Sequence, residues 1–269
     1  MKLRERGARV ARVRVLEQRE VRLGSQGVHR APGMYTVSAA WDRIIFPRVV
    51  AADLEATLGG PPLARFPNAA GRQRELAHRA SELGWPTPGF HHRWFGETIY
   101  WLARTVRPKA IVETGVERGL TSYFWLRALA DNDFGTLHSI DLPTVGRTER
   151  INADGRVDGS HVESEERTGG LVPPPLRRRW ELTLGDAKVE LPALLSRLDS
   201  IDIFFHDSDH SYAHQLWEYR TAWPLVREGG LLASDDVDWT AAFADFSKEV
   251  ARAPVYWPST RPSRGLVRK

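Results

Sequence analysis

From residue 109 onward, short apolar runs alternate with stretches of helical spacing, and this alternation limits the fold more than any other feature of the sequence. Most of the apolar runs end at a glycine or an acidic residue. Strands that alternate with helices form βαβ units, which build a parallel sheet covered on both faces. The predicted strands are residues 110–112, 136–140, 180–184, 201–205 and 230–233, with 255–257 and 266–267 as closing strands.

These seven runs predict an α/β fold, a Rossmann-like, doubly wound and mostly parallel seven-stranded sheet with helices on both faces. Earlier in the chain, the apolar spacing predicts helices over residues 69–83 and 94–106, and between the strands it predicts helices over residues 119–130, 187–198, 212–226 and 239–251. The segment Glu228–Gly230 is expected to end the third of these four helices. We therefore expect two parts. The first is a basic arm and helical cap over residues 1–90, and the second is the sheet domain over residues 91–269. Residues 144–179 are polar and rich in Gly and Pro, and we interpret them as an insertion on the substrate side.

The charge of the chain is divided unevenly. The formal net charge is +4, but residues 1–30 carry +6 and residues 252–269 carry +5, which leaves −7 for residues 31–251. An enzyme that acts on nucleic acid should line its cleft with cations, because phosphate neutralisation supplies much of its affinity. We therefore do not expect a nucleic-acid partner. The basic ends are expected to serve assembly, with a homo-oligomer formed through the N-terminal arm.

Several classes are excluded by residues that the chain lacks. It has no cysteine, so disulfides, thiolate zinc sites and cysteine nucleophiles are ruled out. It has no run of 18 apolar residues of the kind that spans a membrane, and its first residues lack the apolar core of a secretory leader. We expect a protein of the cytoplasm with no membrane partner.

A glycine-rich turn follows the first predicted strand. Gly115 and Gly119 flank this turn, which aims backbone N–H groups and a helix N-terminus at an anionic group. The spacing is neither the dinucleotide fingerprint nor a P-loop. Asp141 ends the next strand, at the position from which a carboxylate accepts hydrogen bonds from a ribose diol. Together these residues predict a nucleoside-containing cofactor.

Three carboxylates are expected to meet at two neighbouring strand ends. Asp207 follows the fourth strand, and Asp235 and Asp236 follow the fifth. Desolvated carboxylates repel one another, and a hard divalent cation such as Mg²⁺ relieves this repulsion with oxygen ligands. Asp209 or His210 would act as general base, and the ordinary pKa of histidine suits that task near neutral pH. The alternative is that Asp207 and Asp209 only cap the following helix.

The ordered motifs resemble one known family. The chain reads E-T-G-x-x-x-G-x-T, then I-D, then G-D-A, then F-x-D-x-D-H, then G-G followed by D-D. This series resembles the class I S-adenosylmethionine-dependent methyltransferases over roughly residues 90–250. More narrowly, it is similar to the metal-dependent sugar and small-molecule O-methyltransferases of bacterial natural-product pathways.

The resemblance implies roles for individual residues. Glu113 would hold the amino end of the cofactor with help from Ser122, Asp141 would bind the ribose hydroxyls, and Asp186 would face the adenine edge. The implied cofactor-binding residues are Glu113, Gly115, Gly119, Ser122, Asp141 and Asp186. The implied magnesium ligands are Asp207, Asp235 and Asp236.

The predicted function is therefore S-adenosylmethionine-dependent methyl transfer to a hydroxyl of a small molecule, a sugar or a glycosylated natural product, with assistance from Mg²⁺. Two alternatives stay open. One is a nucleic-acid methyltransferase, which the basic ends favour and the acidic middle opposes. The other is a cofactor-binding accessory protein without catalysis.

Overall fold

The computed structural model describes Leu58 and residues 68–145, 150–155, 157–158, 161–162, 164–257 and 263–269. Of the predicted basic arm and helical cap over residues 1–90, residues 1–57 and 59–67 lie outside the described residues, and so does the expected role of the arm in assembly. Among the described helices, none is both long enough and apolar enough to cross a membrane. The division of the chain at residue 90 stays a prediction.

Seven strands form one sheet at the centre of the described chain. Its strands are β1 (Ala110–Thr114), β2 (Thr136–Asp141), β7 (Trp180–Leu184), β8 (Ile201–His206), β9 (Val226–Ser234), β10 (Val255–Trp257) and β11 (Arg264–Arg268). Their order is β10-β11-β9-β8-β1-β2-β7. The five strands from β7 to β9 are parallel, whereas β11 is antiparallel to β9 and to β10. The predicted fold class is confirmed.

Within the described residues, three helices cover each face of this sheet. The helices are α1 (Ala69–Glu82), α2 (Phe90–Val106), α3 (Leu120–Asn132), α4 (Ala187–Leu195), α5 (Tyr212–Ala222) and α6 (Ala242–Glu249). Successive strand residues point to opposite faces. Ile111 and Phe205 accordingly pack with α1, α2 and α3, whereas Val112 and Phe204 pack with α4, α5 and α6. The sheet is therefore packed between two hydrophobic cores, one on each face.

A buried ion pair fixes α1 to α2. Arg72 donates from Nη2 to Oε2 of Glu97 over 2.5 Å, and its guanidinium lies 3.8 Å from the ring centroid of Tyr100. Both charged side chains are almost fully buried. This pair joins the two helices on one face of the sheet.

One predicted boundary is wrong. The segment Glu228–Gly230 was expected to end the helix that starts at Tyr212, but it lies inside β9, and the helix ends at Ala222 before a 3₁₀ turn at Trp223–Leu225. The pairing explains the error, because the register between β8 and β9 shifts here and Gly229 has φ +75°. A glycine inside a strand marks a bulge as well as a helix end. The last long helix also begins at Ala242 rather than Trp239.

The described part of the insertion contains short elements rather than a domain. Its strands are β3 (Thr144–Val145), β4 (Arg150–Ile151), β5 (Val157–Asp158) and β6 (His161–Val162). Two 3₁₀ turns follow, at Glu165–Arg167 and Pro174–Arg179. Gly169 donates to the carbonyl of Glu117 over 2.7 Å, and Leu171 donates to that of Arg118 over 2.9 Å. The insertion is therefore hydrogen-bonded to the glycine-rich turn.

Candidate active site

One cavity of about 400 Å³ opens at the carboxyl ends of the parallel strands. It lies across β1 and β8, where the strand order reverses, which is the usual ligand position in open α/β sheets. Eight predicted site residues line it: Gly115, Asp141, Asp186, Asp207, Asp209, His210, Asp235 and Asp236. The lining does not include Glu113, Gly119 or Ser122.

The two glycines of the turn are required by close backbone neighbours. Both have φ +85°, a conformation that residues with a side chain rarely adopt. A Cβ atom on Gly115 would lie 1.8 Å from the carbonyl oxygen of Asp207, and one on Gly119 would lie 2.7 Å from Cα of Gly169. Gly115 thus lets the ends of β1 and β8 approach, and Gly119 makes room for the insertion.

Glu113 lies completely buried beneath the turn. Its Oε2 accepts hydrogen bonds from the hydroxyls of Ser122 (2.6 Å) and Ser139 (2.8 Å). Its Oε1 has no hydrogen-bond partner among the described residues. Burial raises the pKa of Glu113 to about 7, although the two serine hydroxyls oppose that shift. Ser122 therefore acts on Glu113 and does not face the cavity.

Two further acidic residues lie on the same side of the cavity. Asp141 accepts a hydrogen bond from the backbone N–H of Val116 over 2.9 Å, which ties the end of β2 to the glycine-rich turn. Asp186 accepts from the N–H of Lys188 over 2.8 Å and so caps α4. The hydrogen bond to the turn holds the Asp141 carboxylate at the cavity wall, and the cap of α4 holds the Asp186 carboxylate there.

The other side of the cavity holds the carboxylate cluster, by which we mean Asp207, Asp235 and Asp236. Burial and the neighbouring carboxylates raise the pKa of Asp207 well above its ordinary value. The same causes, burial first and the charge of Asp235 next, raise the pKa of Asp236 to about 6. The three predicted metal ligands therefore lie near enough to influence one another's protonation, although the side chains of Asp207 and Asp236 are still partly exposed.

His210 faces this cluster. Its Nε2 lies 3.7 Å from Oδ1 of Asp207 and 3.8 Å from Oδ2 of Asp236. The ring packs against Trp239, with 5.1 Å between centroids. Asp209, the other candidate base, accepts a hydrogen bond from the backbone N–H of Ser211 over 2.9 Å. Ser211 is the residue before α5, so Asp209 makes a turn contact rather than a helix cap, while His210 points to the carboxylates.

Arg264 is a site residue that the sequence reasoning missed. Its Nε lies 3.0 Å from Oδ1 of Asp235, and its Nη2 donates to Oδ2 over 3.4 Å. The basic C-terminal segment was expected to serve assembly, yet β11 belongs to the sheet and supplies this cation. Only the pairing of β11 with β9 reveals the contact, so no local pattern could have predicted it.

A second feature that the sequence analysis missed is a buried network around Glu218 on α5. This carboxylate accepts hydrogen bonds from the hydroxyls of Thr114 (2.5 Å) and Ser208 (2.8 Å). It also contacts His206 Nδ1 at 2.7 Å and His214 Nε2 at 2.8 Å. Burial alone would raise the pKa of Glu218, but the two histidines hold it well below its ordinary value. The network joins the ends of β1 and β8 beneath the cavity.

The donor set fits S-adenosylmethionine better than it fits a metal ion. The orphaned Oε1 of buried Glu113 suits an ammonium group, and the cavity follows the glycine-rich turn to Asp141. For magnesium, Asp235 is already engaged by Arg264. Within the described ranges, no three His, Asp or Glu side chains are arranged to hold a metal ion.

Comparisons with known proteins agree with this assignment. Residues 112–237 match a family model described as a methyltransferase domain. The fold resembles an O-methyltransferase from Bacillus cereus, solved with S-adenosylhomocysteine, at 15% identity over 74% of this chain and 91% of that chain, with a TM-score of 0.51. It also resembles the S-adenosylhomocysteine-bound methyltransferase PaMTH1 from Podospora anserina, at 15% identity over 91% and 99%, with a TM-score of 0.50. No curated protein matches the chain in sequence.

The sheet order, the cavity at its switch point and the matched segment define the class. Residues 112–237 match a methyltransferase domain, and the fold is that of the class I S-adenosylmethionine-dependent methyltransferases, as the ordered motifs predicted. At 15% identity the likeness to solved structures shows the fold alone. The chemistry of the acceptor must therefore be argued from the cavity.

Proposed function

We propose that this methyltransferase transfers the methyl group to a hydroxyl oxygen of a small molecule. The observation that carries the proposal is the two-sided cavity. Its first side presents Gly115 and Asp141, and its second side presents His210 among carboxylates. Methyl transfer to a hydroxyl needs a bound sulfonium donor and a group that removes one proton. The cavity offers a place for each within a single space.

The residues of the first side would hold S-adenosylmethionine, which supplies an electrophilic methyl group when bound. Glu113 lies behind the glycine-rich turn and outside the cavity lining, and its orphaned Oε1 would accept a hydrogen bond from the amino group only if the cofactor enters the turn. Asp141 would accept from the ribose hydroxyls, and Asp186 would lie near the adenine. Gly115 keeps the turn close to the end of β8, so that the methyl donor and the acceptor share one cavity.

His210 is the proposed general base, and Asp209 is the alternative. The histidine is buried, lies within 4 Å of two carboxylates and packs on Trp239. Nearby negative charge stabilises the imidazolium that forms when the ring takes the proton of a hydroxyl. The carboxylate of Asp209 is held by the N–H of Ser211. His210 is therefore better placed to remove a proton beside the cluster.

The acceptor is proposed to be small and not acidic. The cavity has the size of a small-molecule site. Its acidic lining would repel phosphates, which argues against nucleic acid as the acceptor. The finer expectation of a sugar or a glycosylated natural product rests on the resemblance of the motifs. The magnesium ion that the resemblance implies has no step here, because Arg264 engages one of its three expected ligands.

Turnover with a defined panel tests the proposal. The full chain is incubated with S-adenosylmethionine and matched pairs of small acceptors that differ only in hydroxyl against amine, with RNA and DNA as further arms. The release of S-adenosylhomocysteine and the mass of the product are measured. We expect methylation of hydroxyl acceptors alone. Transfer only to amines or to nucleic acid would contradict the proposal, and binding of S-adenosylmethionine without any turnover would favour the accessory-protein alternative.

A further inference from the structure

Arg264 reaches the carboxylate cluster through the pairing of its strand with β9. It begins β11, which runs antiparallel to β9 with Gly265 opposite Ser234. The residue before Gly265 therefore lies beside the residue after Ser234. This register places Arg264 next to Asp235, with the two nitrogen–oxygen contacts of 3.0 Å and 3.4 Å. The contact is built into the sheet and does not depend on a loop.

The guanidinium is held on other sides as well. Its carbon lies 4.0 Å from the ring centroid of Phe95, a residue of the cavity wall. Its Nη1 donates to the hydroxyl of Ser263 over 2.9 Å. The side chains of Arg264 and Asp235 are only 18% and 12% exposed, so water screens their attraction poorly. Only Nη2 forms a hydrogen bond to Asp235, and the close approach of Nε adds the attraction of opposite charges.

This geometry bears directly on metal binding. A divalent ion shared by the cluster would compete with Arg264 for the oxygens of Asp235, and its charge would repel the guanidinium. If the arginine stayed in place, Asp207 and Asp236 would have to hold the ion with fewer protein oxygens. Mg²⁺ gives up its bound water reluctantly, so it gains little from such a reduced set.

We propose that Arg264 is the resident cation of the carboxylate cluster and takes the place of a divalent metal ion. The arginine balances one carboxylate, stays fixed on Phe95 and leaves Asp207 and Asp236 facing His210. The inference deepens the proposed function, since it concerns the same cavity, but it rests on contacts that exist without any acceptor. It sets this chain apart from the metal-dependent enzymes that its motifs resemble.

Metal titration of three proteins tests the proposal. Mn²⁺ alone is added to the full chain, to Arg264→Met and to Arg264→Lys, and free Mn²⁺ is followed by electron paramagnetic resonance. Methionine keeps an apolar stem on Phe95 and removes the charge, whereas lysine keeps the charge. We expect negligible binding to the parent and to Arg264→Lys, and a gain of roughly tenfold or more in affinity for Arg264→Met, because a repelling charge has left the cluster. Addition of Asp236→Asn to Arg264→Met should abolish that gain.

The opposite results would overturn the inference. Tight Mn²⁺ binding by the parent chain, unchanged in Arg264→Met, would show that the arginine does not occupy the place of an ion. A folded Arg264→Met that gains no Mn²⁺ affinity would overturn it equally. Thermal melting and S-adenosylhomocysteine binding show that each variant is folded. The Mn²⁺ titration does not depend on turnover. The metal result would therefore stand if no methyl transfer were found, and the proposed function would stand if the metal result were negative.

Discussion

The two sides of the cavity satisfy their carboxylates in different ways. On the side of β1, β2 and β7, which we call the cofactor side, Glu113 and Asp141 accept hydrogen bonds from serine hydroxyls and a backbone N–H. On the side of β8, β9 and β11, the catalytic side, Asp235 pairs with Arg264, and Asp207 lies beside His210. The cofactor side relies on neutral donors, whereas the catalytic side contains the ion pair of Asp235 and Arg264.

This difference separates the tasks of the two sides. Neutral donors orient a carboxylate without cancelling its charge, which is compatible with the proposed binding of an ammonium group by Glu113. Charged partners instead couple the residues of the catalytic side, because a change in one alters the field at all the others. We therefore expect substitutions on the cofactor side to change affinity, and substitutions on the catalytic side to change turnover.

The largest effect is expected for His210→Asn. Loss of the general base should lower kcat by about 10²- to 10⁴-fold, while S-adenosylhomocysteine affinity stays within a few fold. Steady-state kinetics and calorimetric binding measure the two quantities. His78→Asn, an exposed histidine of α1, is the matched control and should change neither. An equal loss of cofactor affinity and of turnover in His210→Asn would remove the contrast between the two sides.

Glu218→Gln should give the next largest effect, because its network joins the two sides beneath the cavity. Loss of a buried charge with histidine partners should lower the free energy of unfolding by about 3 kcal/mol at pH 7. Denaturation in urea measures it. Glu249→Gln, which breaks the exposed pair with Arg220, should cost less than about 1 kcal/mol. A similar loss in both variants would mean that the buried network adds no special stability.

The same variant carries a prediction for pH. Because the pKa of Glu218 is depressed in the folded chain, its stabilising contribution is fully present above the unfolded pKa of about 4.3 and is lost as the pH falls through the folded value. The stability difference between the parent and Glu218→Gln should therefore persist at pH 5 to 7 and shrink only in stronger acid. A difference that vanished already near pH 6 would contradict the depressed pKa.

Glu113→Gln should weaken binding of S-adenosylmethionine by about tenfold, the usual loss when a charged hydrogen bond becomes neutral. Since the pKa of Glu113 is about 7, the carboxylate forms as the pH rises through 7, and parent affinity should rise with it. Calorimetry at pH 6 and pH 8 measures both effects. The cofactor affinity of Glu113→Gln should not change with pH. If it changed as much as that of the parent, a group other than Glu113 would be responsible for the pH dependence.

The smallest effect is expected for Ser122→Ala. It removes one neutral donor from Glu113 while Ser139 remains, so cofactor affinity should fall by roughly three- to fivefold. Turnover at saturating cofactor should not change. Equilibrium binding and kcat from the same preparation decide the matter. A reduced kcat with unchanged cofactor affinity would mean that Ser122 acts on turnover, as residues of the catalytic side are expected to do, and would contradict its assignment to the cofactor side.

The sequence predicted the parts of the site that depend on local pattern. Each strand is a short apolar run, and the residue at its end lies at the carboxyl edge of a parallel sheet whatever the strand order. For this reason Asp141, Asp207 and Asp236 were assigned to one edge without knowledge of the topology, and the structure places all three on the cavity wall. The individual roles predicted for them remain to be measured.

What the sequence could not predict depends on distant pairing. Arg264 meets Asp235 only because β11 enters beside β9 in the antiparallel sense. Glu218 was hidden in a helix pattern, where a single acidic residue is typical of an exposed face. The glycines at 229 and 230 resemble a helix end until the bulge in β9 is seen. Each of these features required the order of the strands, which apolar periodicity does not contain.

The place of Arg264 in the chain has a consequence for truncation. Asp207 and Asp235 both lie before β11, and β8 pairs with β9 without it. In a variant shortened to end before residue 264, the carboxylates would lie together without their arginine. The strand β11 therefore both covers the edge of β9 and balances Asp235, so the shortened chain would expose a sheet edge and hold an unbalanced acidic pocket.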